Sequence, residues 1–262
     1  MSALPVWLPL LTKATATALI VVIAARAAER VGPFFGGLIA SLPLSAGPAY
    51  LFVALANDDR FVAASALSSI VTNAATIAFL ALLVLLAPRV RLTVAFGTAL
   101  AVWLGTSVGL SGVAWTAPQA LALNAAVFAA AGLAVWRVRP PERVPPARSR
   151  WYDTPVRAAL VAGLVAVVAT LSGLIGPAAT GIAAVFPVVL CSVGVIVHRR
   201  QGGATAAAAM KGALAANPGF LLGVLTVHAL AEPAGRGLAL IAALAVMLAW
   251  SAGLLVWRWR TS

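Results

Sequence analysis

The sequence predicts an all-α, polytopic integral membrane protein with about nine transmembrane helices, arranged as two inverted four-helix repeats joined by a linker helix. Three observations predict this class. First, 63% of the 262 residues are hydrophobic and only 9% are charged, whereas soluble domains carry about 25% charged residues. Second, the apolar residues form blocks of roughly 20 or more, the length of a helix that crosses about 30 Å of hydrocarbon. Third, a proline-containing motif recurs in the second half.

The predicted spans and the loops between them give the orientation. The spans cover residues 5–27, 33–56, 61–87, 91–113, 117–136, 155–174, 177–197, 204–230 and 236–257. If the N-terminus is outside, fourteen arginines lie in inner loops and only two, Arg60 and Arg236, lie in outer loops. Because cytoplasmic loops are enriched in Lys and Arg, we predict an outside N-terminus and a cytoplasmic C-terminus. The net charge of +12 belongs to these loops and does not indicate a nucleic-acid partner.

An internal repeat divides the chain. A shift of 144 residues brings the two halves into register without gaps: the run G-P-x-x-x-G-x-x-A-x-x-P occurs at 32–43 and at 176–187, and Asn73 meets Asn217. Repetition at a fixed period indicates a duplicated structural unit. The predicted organisation is a first four-span repeat at 1–113, a linker span plus a cytoplasmic Arg/Pro-rich loop at 114–153, and a second four-span repeat at 154–262. A single linker span inverts the second unit relative to the first, as in many secondary transporters.

The stretches GGLIASLPLSAGP at 36–48 and TGIAAVFPVVLCS at 180–192 resemble the G-L-A-x-x-F-P stretch of the small GlpM-type bacterial inner-membrane proteins. Each half would match one copy over about two spans. The second half matches better, because Phe186-Pro187 stands where the first half has Leu42-Pro43. The resemblance implies a bacterial inner membrane and little about mechanism.

Prolines interrupt spans two and seven near mid-membrane. Pro43 and Pro48 bracket Ser45 and Gly47 in the first half, and Pro187 lies in the second half. A proline removes one backbone hydrogen bond and frees the carbonyl four residues earlier. Broken helices at corresponding depths of two inverted halves are typical of a mid-membrane binding site. The alternative is that the prolines are only tolerated, because neighbouring groups satisfy the freed carbonyls.

Polar side chains form a stripe on span three. Its members recur at helical spacing: Ser65, Ser69, Thr72 and Thr76. Asn73 lies beside the stripe, and we expect it to face its counterpart Asn217 where the repeats meet. A substrate site would use Asn73, Asn217, Ser69 and Thr72. The alternative is hydrogen bonding between helices, combined with small-residue packing at Gly105-xxx-Gly109 and Gly219-xxx-Gly223.

Few side chains could carry catalysis or ion coupling. All six acidic residues lie in loops or at span ends, whereas coupling carboxylates usually lie within the membrane. The sequence contains no serine–histidine arrangement and no set of metal ligands, so we predict no enzyme activity, no cofactor and no metal. Lys211 lies about two turns into span eight. It either extends to the headgroups or faces a cavity suited to an anionic solute.

The sequence therefore predicts a transporter or channel of the bacterial inner membrane for a small polar or anionic solute. Its pathway would lie at the repeat interface, between spans two, three, seven and eight. The expected partners are membrane lipids and a small-molecule or ion substrate, and homo-oligomerisation stays open. The first alternative is a non-transporting scaffold or assembly factor. The second, a membrane enzyme acting on lipids, is disfavoured by the missing acid, base and metal groups.

Overall fold

The computed structural model describes residues 12, 15, 19, 46–139 and 153–261. Within the two long ranges every regular element is a helix, as the composition predicts. Most of the predicted first span, the first-half motif at 32–43 and the Arg/Pro-rich loop at 140–152 lie outside the described residues.

Eight helices follow one another along the described chain. They are α1 (Ala46–Ala56), α2 (Asp59–Leu86), α3 (Leu92–Ser111), α4 (Ala117–Val135), α5 (Asp153–Ala184), α6 (Val188–Gln201), α7 (Gly203–Ala234) and α8 (Arg236–Thr261). Six stretches are long and apolar enough to cross a membrane: 59–86, 92–111, 117–135, 158–201, 203–234 and 236–254. The chain is therefore compatible with a multi-pass membrane protein.

Local signals set several helix ends. The side chain of Asp58 accepts a hydrogen bond from the backbone N–H of Phe61 and caps the start of α2. Thr116 and Gln119 form a capping box at the start of α4. Inside α5 the chain leaves the helical conformation at Gly176, whose φ is 76° and ψ is 172°. Only glycine adopts this conformation readily, and Pro177 then starts a new helical segment.

Helix α2 is the centre of the bundle. In its most apolar window 78% of the residues are buried, against 22% in α3, α4 and α8. Helices α3, α4, α5 and α7 all pack on α2, and α8 packs on the opposite side of α7. In a membrane, the exposed apolar side chains of α3, α4 and α8 would face lipid.

Helices α2 and α7 pack antiparallel. Near the start of α2, the carbonyl of Ala63 lies 2.9 Å from Nδ1 of His228, near the end of α7. Beyond the end of α2, the carbonyl of Ala87 lies against Gly203, where a Cβ atom would stand only 1.9 Å from that oxygen. The long central helices therefore run in opposite directions along their whole lengths.

The two ends of the bundle differ in charge. At the end where α2 begins lie Asp58, Asp59, Arg60, Glu232 and Arg236, and Arg236 forms an ion pair of 2.8 Å with Asp59. We call this the acidic end. The opposite end carries Arg89, Arg91, Arg137, Arg139, Arg199 and Arg200, and we call it the arginine end.

Helices α3 and α8 bury the same pattern of positions. The buried residues of α3 are Ala95, Ala99, Trp103 and Ser107. The described buried residues of α8 are Ala239, Ala243, Met247 and Ser251. Each member of the second set lies 144 positions after a member of the first.

Candidate functional site

Three asparagines meet in the middle of the bundle. Asn73 Nδ2 donates to Oδ1 of Asn217 at 2.9 Å and to Oδ1 of Asn124 at 2.9 Å. Asn217 Nδ2 donates back to Oδ1 of Asn73 at 3.0 Å. We call these residues the asparagine cluster. The structure thus joins the two residues that the repeat predicted to face each other.

Asn124 was missed by the sequence analysis. It lies on α4, the predicted linker span, which has no counterpart in the repeat and so offered no matched position. Its Nδ2 donates to the carbonyls of Ile70 and Ala120, both at 2.8 Å. A mid-span asparagine needs hydrogen-bond partners to be stable in hydrocarbon, and that signal alone could have indicated it.

The side-chain N–H groups of Asn73 and Asn124 are all occupied by hydrogen bonds. Asn73, Asn124 and Asn217 are 1%, 0% and 9% exposed. In this conformation a solute could gain a donor from Asn73 or Asn124 only by displacing a protein–protein hydrogen bond. Substrate binding by Asn73 and Asn217 stays a prediction.

Serine hydroxyl groups of α2 hold the helical segment that follows Gly176. Ser69 Oγ donates to the carbonyl of Gly181 at 2.7 Å and lies 2.6 Å from the Tyr50 hydroxyl. Ser68 Oγ donates to the carbonyl of Ala178 at 2.8 Å. A Cβ atom on Gly181 would stand 2.2 Å from the carbonyl oxygen of Ser65, so the segment approaches α2 backbone to backbone. Ser69 therefore anchors this segment.

The predicted break at Pro187 is present between α5 and α6. The carbonyl of Ala183, which the proline frees, accepts a hydrogen bond from the N–H of Phe186 at 3.2 Å. The ring of Phe186 packs edge-on against Trp103, with centroids 5.2 Å apart. The indole N–H of Trp103 in turn donates to Thr76 at 3.1 Å. The carbonyl freed at this break is thus hydrogen-bonded locally, and Phe186 packs the break against α3. Substrate binding at Pro187 stays a prediction.

A cavity of about 170 Å³ lies beside the stripe, toward the acidic end. Its walls are α2, the turn between α3 and α4, and the segment after Gly176. Thr72, Ser68 and Ser111 contribute hydroxyl groups to the lining, and Trp115 and Pro177 also line it. None of the described lining residues is charged. We call this space the hydroxyl-lined cavity.

The remaining predicted site residues lie elsewhere. Pro43 and Ser45 are outside the described residues. Gly47 lines a separate, mainly apolar cavity of about 300 Å³ between α1, α7 and α8. Lys211 Nζ donates to the carbonyl of Val138 at 2.6 Å and to that of Trp136 at 3.3 Å, just past the end of α4. A cation at a helix C-terminus is favourable, so Lys211 attaches α7 to the end of α4.

Across the described part of the chain, no three His, Cys, Asp or Glu side chains approach closely enough to hold a metal ion. His198 Nε2 lies 3.2 Å from the carbonyl of Ala87, so both histidines of the chain contact backbone carbonyls of α2 or its C-cap. No family model, curated protein or solved structure matches the chain.

Proposed function

We propose that the protein is a transporter or channel of the bacterial inner membrane for a small polar solute, with its pathway at the interface of two inverted repeats. The observation that carries the proposal is the reciprocal hydrogen bonding of Asn73 and Asn217 at the crossing of two antiparallel helices. Residues that lie on a two-fold axis contact their own equivalents in this reciprocal way. Inverted repeats related by such an axis are a common plan of secondary transporters.

The matching buried faces of α3 and α8 support the same duplication. The apolar stretch at 158–201 is long enough for two spans, as the predicted second repeat requires. Its 44 residues would measure about 66 Å as one straight helix. That is twice the ~30 Å of hydrocarbon, and the non-helical Gly176 is a suitable place for a reversal. Two crossings in this stretch and two in the N-terminal part would give nine spans.

The proposed sidedness follows from charge. The arginine end would face the cytoplasm, with the C-terminus there and the N-terminus outside. The hydroxyl-lined cavity, toward the acidic end, would then receive a solute from outside. Hydroxyl groups without charge suit a neutral polar solute better than an anion, and Lys211 is occupied with carbonyl groups. The asparagine cluster would close the pathway below the cavity, and its separation would offer the amide groups to the solute.

A flux assay with a matched pair of exposed valines tests this proposal. Val113 lines the hydroxyl-lined cavity and is exposed, whereas Val108 is exposed on the same helical hairpin but is not among the cavity's described lining residues. The full chain would be reconstituted in vesicles, and entry of small polyols, amides and carboxylates would be followed by light scattering. We expect faster entry of at least one solute than in protein-free vesicles, with loss in Val113→Trp and no loss in Val108→Trp. Equal rates with and without protein, or equal effects of both variants, would contradict the proposal.

A non-transporting scaffold is the second candidate. It is favoured by one observation: the asparagine cluster is buried and already hydrogen-bonded, which is what interhelical adhesion requires. A scaffold predicts that asparagine variants lose stability while every vesicle permeability stays at the protein-free rate. Neither candidate function includes catalysis, a cofactor or a metal.

A further inference from the structure

We propose that two interlocked turns at the arginine end bind the phosphate headgroup of an anionic phospholipid through Arg89, Arg91 and Arg199. The first turn joins α2 to α3, and the second joins α6 to α7. This site is separate from the solute pathway and does not depend on the proposed transport function.

The two turns are fixed against each other by backbone contacts. Nε2 of His198 lies 3.2 Å from the carbonyl of Ala87. Gly203 packs so closely on Ala87 and Pro88 that an added Cβ atom would lie 3.1 Å from the Cα of Pro88. The approach also depends on Gly202, whose φ of 87° suits glycine. Arg89 and Arg91, which follow Pro88, and Arg199, in the last turn of α6, therefore lie on the two chain segments that meet at this contact.

The three arginines have side chains available to a ligand. All three are exposed. Arg89 Nη1 donates to the carbonyl of Leu85, which ties its guanidinium group to the end of α2. A guanidinium group has five N–H donors, so this contact leaves most of them for a phosphate. Among side chains that the structure describes, the carboxylates of Asp58, Asp59 and Glu232 all belong to the acidic end.

A lipid phosphate is a suitable ligand because these turns would lie at the level of the headgroups in a membrane. The turns lie at the ends of apolar helices that are long enough to cross a membrane, where headgroup phosphates are found. Trp136, at the same end, is 66% exposed, and exposed tryptophans are enriched at membrane interfaces. Guanidinium groups bind phosphate oxygens through paired hydrogen bonds. Juxtamembrane arginines on the cytoplasmic side attract anionic lipids by the same chemistry.

The test compares two charge-removing variants of the full chain in nonionic detergent. Lipid retention would be measured by native mass spectrometry during titration with phosphatidylglycerol, phosphatidylcholine or glycerol phosphate. We expect saturable binding of phosphatidylglycerol only, weakened about 10-fold or more in Arg89→Gln/Arg199→Gln. Arg60→Gln, which removes an exposed arginine at the acidic end, should bind as the parent chain does. Circular dichroism and size-exclusion profiles identify any variant that fails to fold.

Three results would overturn the proposal. Equal retention of phosphatidylcholine, whose headgroup is zwitterionic, would show that the net negative charge of the lipid does not determine binding. Equal binding by Arg60→Gln and the double variant, whether weakened or not, would show that Arg89 and Arg199 have no specific role in binding. Competition by glycerol phosphate at the concentration of the lipid would indicate a site for a soluble anion. If the double variant does not fold, Arg91→Gln serves in its place, with a weaker loss expected and an unchanged affinity contradicting the site.

Discussion

Helices α2 and α7 lie 144 residues apart in sequence and cross at the asparagine cluster, yet their side chains make different sets of hydrogen bonds. Asn73 of α2 bonds to two asparagines, whereas Asn217 of α7 has Asn73 as its asparagine partner. Thr76 of α2 accepts the indole N–H of Trp103, while the position 144 later is Phe220. The extra helix α4 packs on α2 and supplies Asn124. Two helices can therefore share one crossing point while neighbouring helices, here α3 through Trp103 and α4 through Asn124, place additional polar contacts on only one of them.

The largest loss of stability is expected at Gly181, where the helical segment after Gly176 meets the backbone of α2. In Gly181→Ala the added Cβ would stand 2.2 Å from the carbonyl oxygen of Ser65, and backbone cannot yield as a side chain can. We expect a loss of about 3 kcal/mol or more in unfolding free energy, measured by titration with a denaturing detergent. Gly163→Ala, which has open space above it, is the control. A loss no greater than that of the control would contradict the close packing of this segment.

The next largest loss of stability is expected to differ between Asn73 and Asn217. Asn73→Leu removes three hydrogen bonds and leaves acceptors on Asn124 and Asn217 unpaired, whereas Asn217→Leu leaves the Asn73–Asn124 bond intact. We expect a loss of about 2 kcal/mol for Asn73→Leu and about 1 kcal/mol for Asn217→Leu, since each buried unpaired group is costly. Unfolding in detergent measures both. Equal losses would remove the asymmetry between α2 and α7.

A smaller effect concerns the hydrogen bond between Thr76 of α2 and Trp103 of α3, because the matching position of α7 is Phe220 and has no hydroxyl group. Thr76→Val keeps the shape of the side chain but removes the acceptor of the Trp103 indole. We expect a loss of about 1 kcal/mol together with a shift in the fluorescence of the chain. Thr98→Val, on the exposed face of α3, should leave both measurements unchanged. An unchanged unfolding free energy in Thr76→Val would mean that the indole N–H finds another acceptor.

The smallest effect is expected at Gly109, in one of the two small-residue pairs. Gly219 and Gly223 pack against Trp250 and Met247, and a Cβ on Gly223 would stand 2.1 Å from the Met247 Cε. Gly105 and Gly109 have open space above them. Gly109→Ala should therefore change the unfolding free energy by less than about 1 kcal/mol, and Gly223→Ala should cost more, although the flexible methionine softens the clash. A larger loss in Gly109→Ala than in Gly223→Ala would show that the exposed face of α3 is covered.

Sequence patterns predicted the all-helical class and one long-range contact of the molecule. Apolar block length predicted the helical class, and the offset of 144 predicted the meeting of Asn73 and Asn217. The role of Asn124 could not be found from the repeat because α4 has no counterpart. The contact of Lys211 was also missed, since its acceptors are backbone carbonyls just past the end of α4, and a sequence does not show which backbone carbonyls a side chain will reach. Likewise, only the packed chain reveals that Ser69 and Ser68 bind a helical segment more than 100 residues away.

Sidedness labelling can show whether the two predicted repeats have opposite orientations in the membrane. Arg60 and Ala204 occupy matched positions 144 residues apart, and both are exposed. Single cysteines at these positions, in a chain whose Cys191 is replaced by alanine, would be treated in intact cells with a membrane-impermeant thiol reagent. Inverted repeats predict that Arg60→Cys is labelled in intact cells and that Ala204→Cys is labelled only after the membrane is permeabilised. Labelling of both cysteines from the same side would contradict inversion and, with it, the mid-membrane pathway.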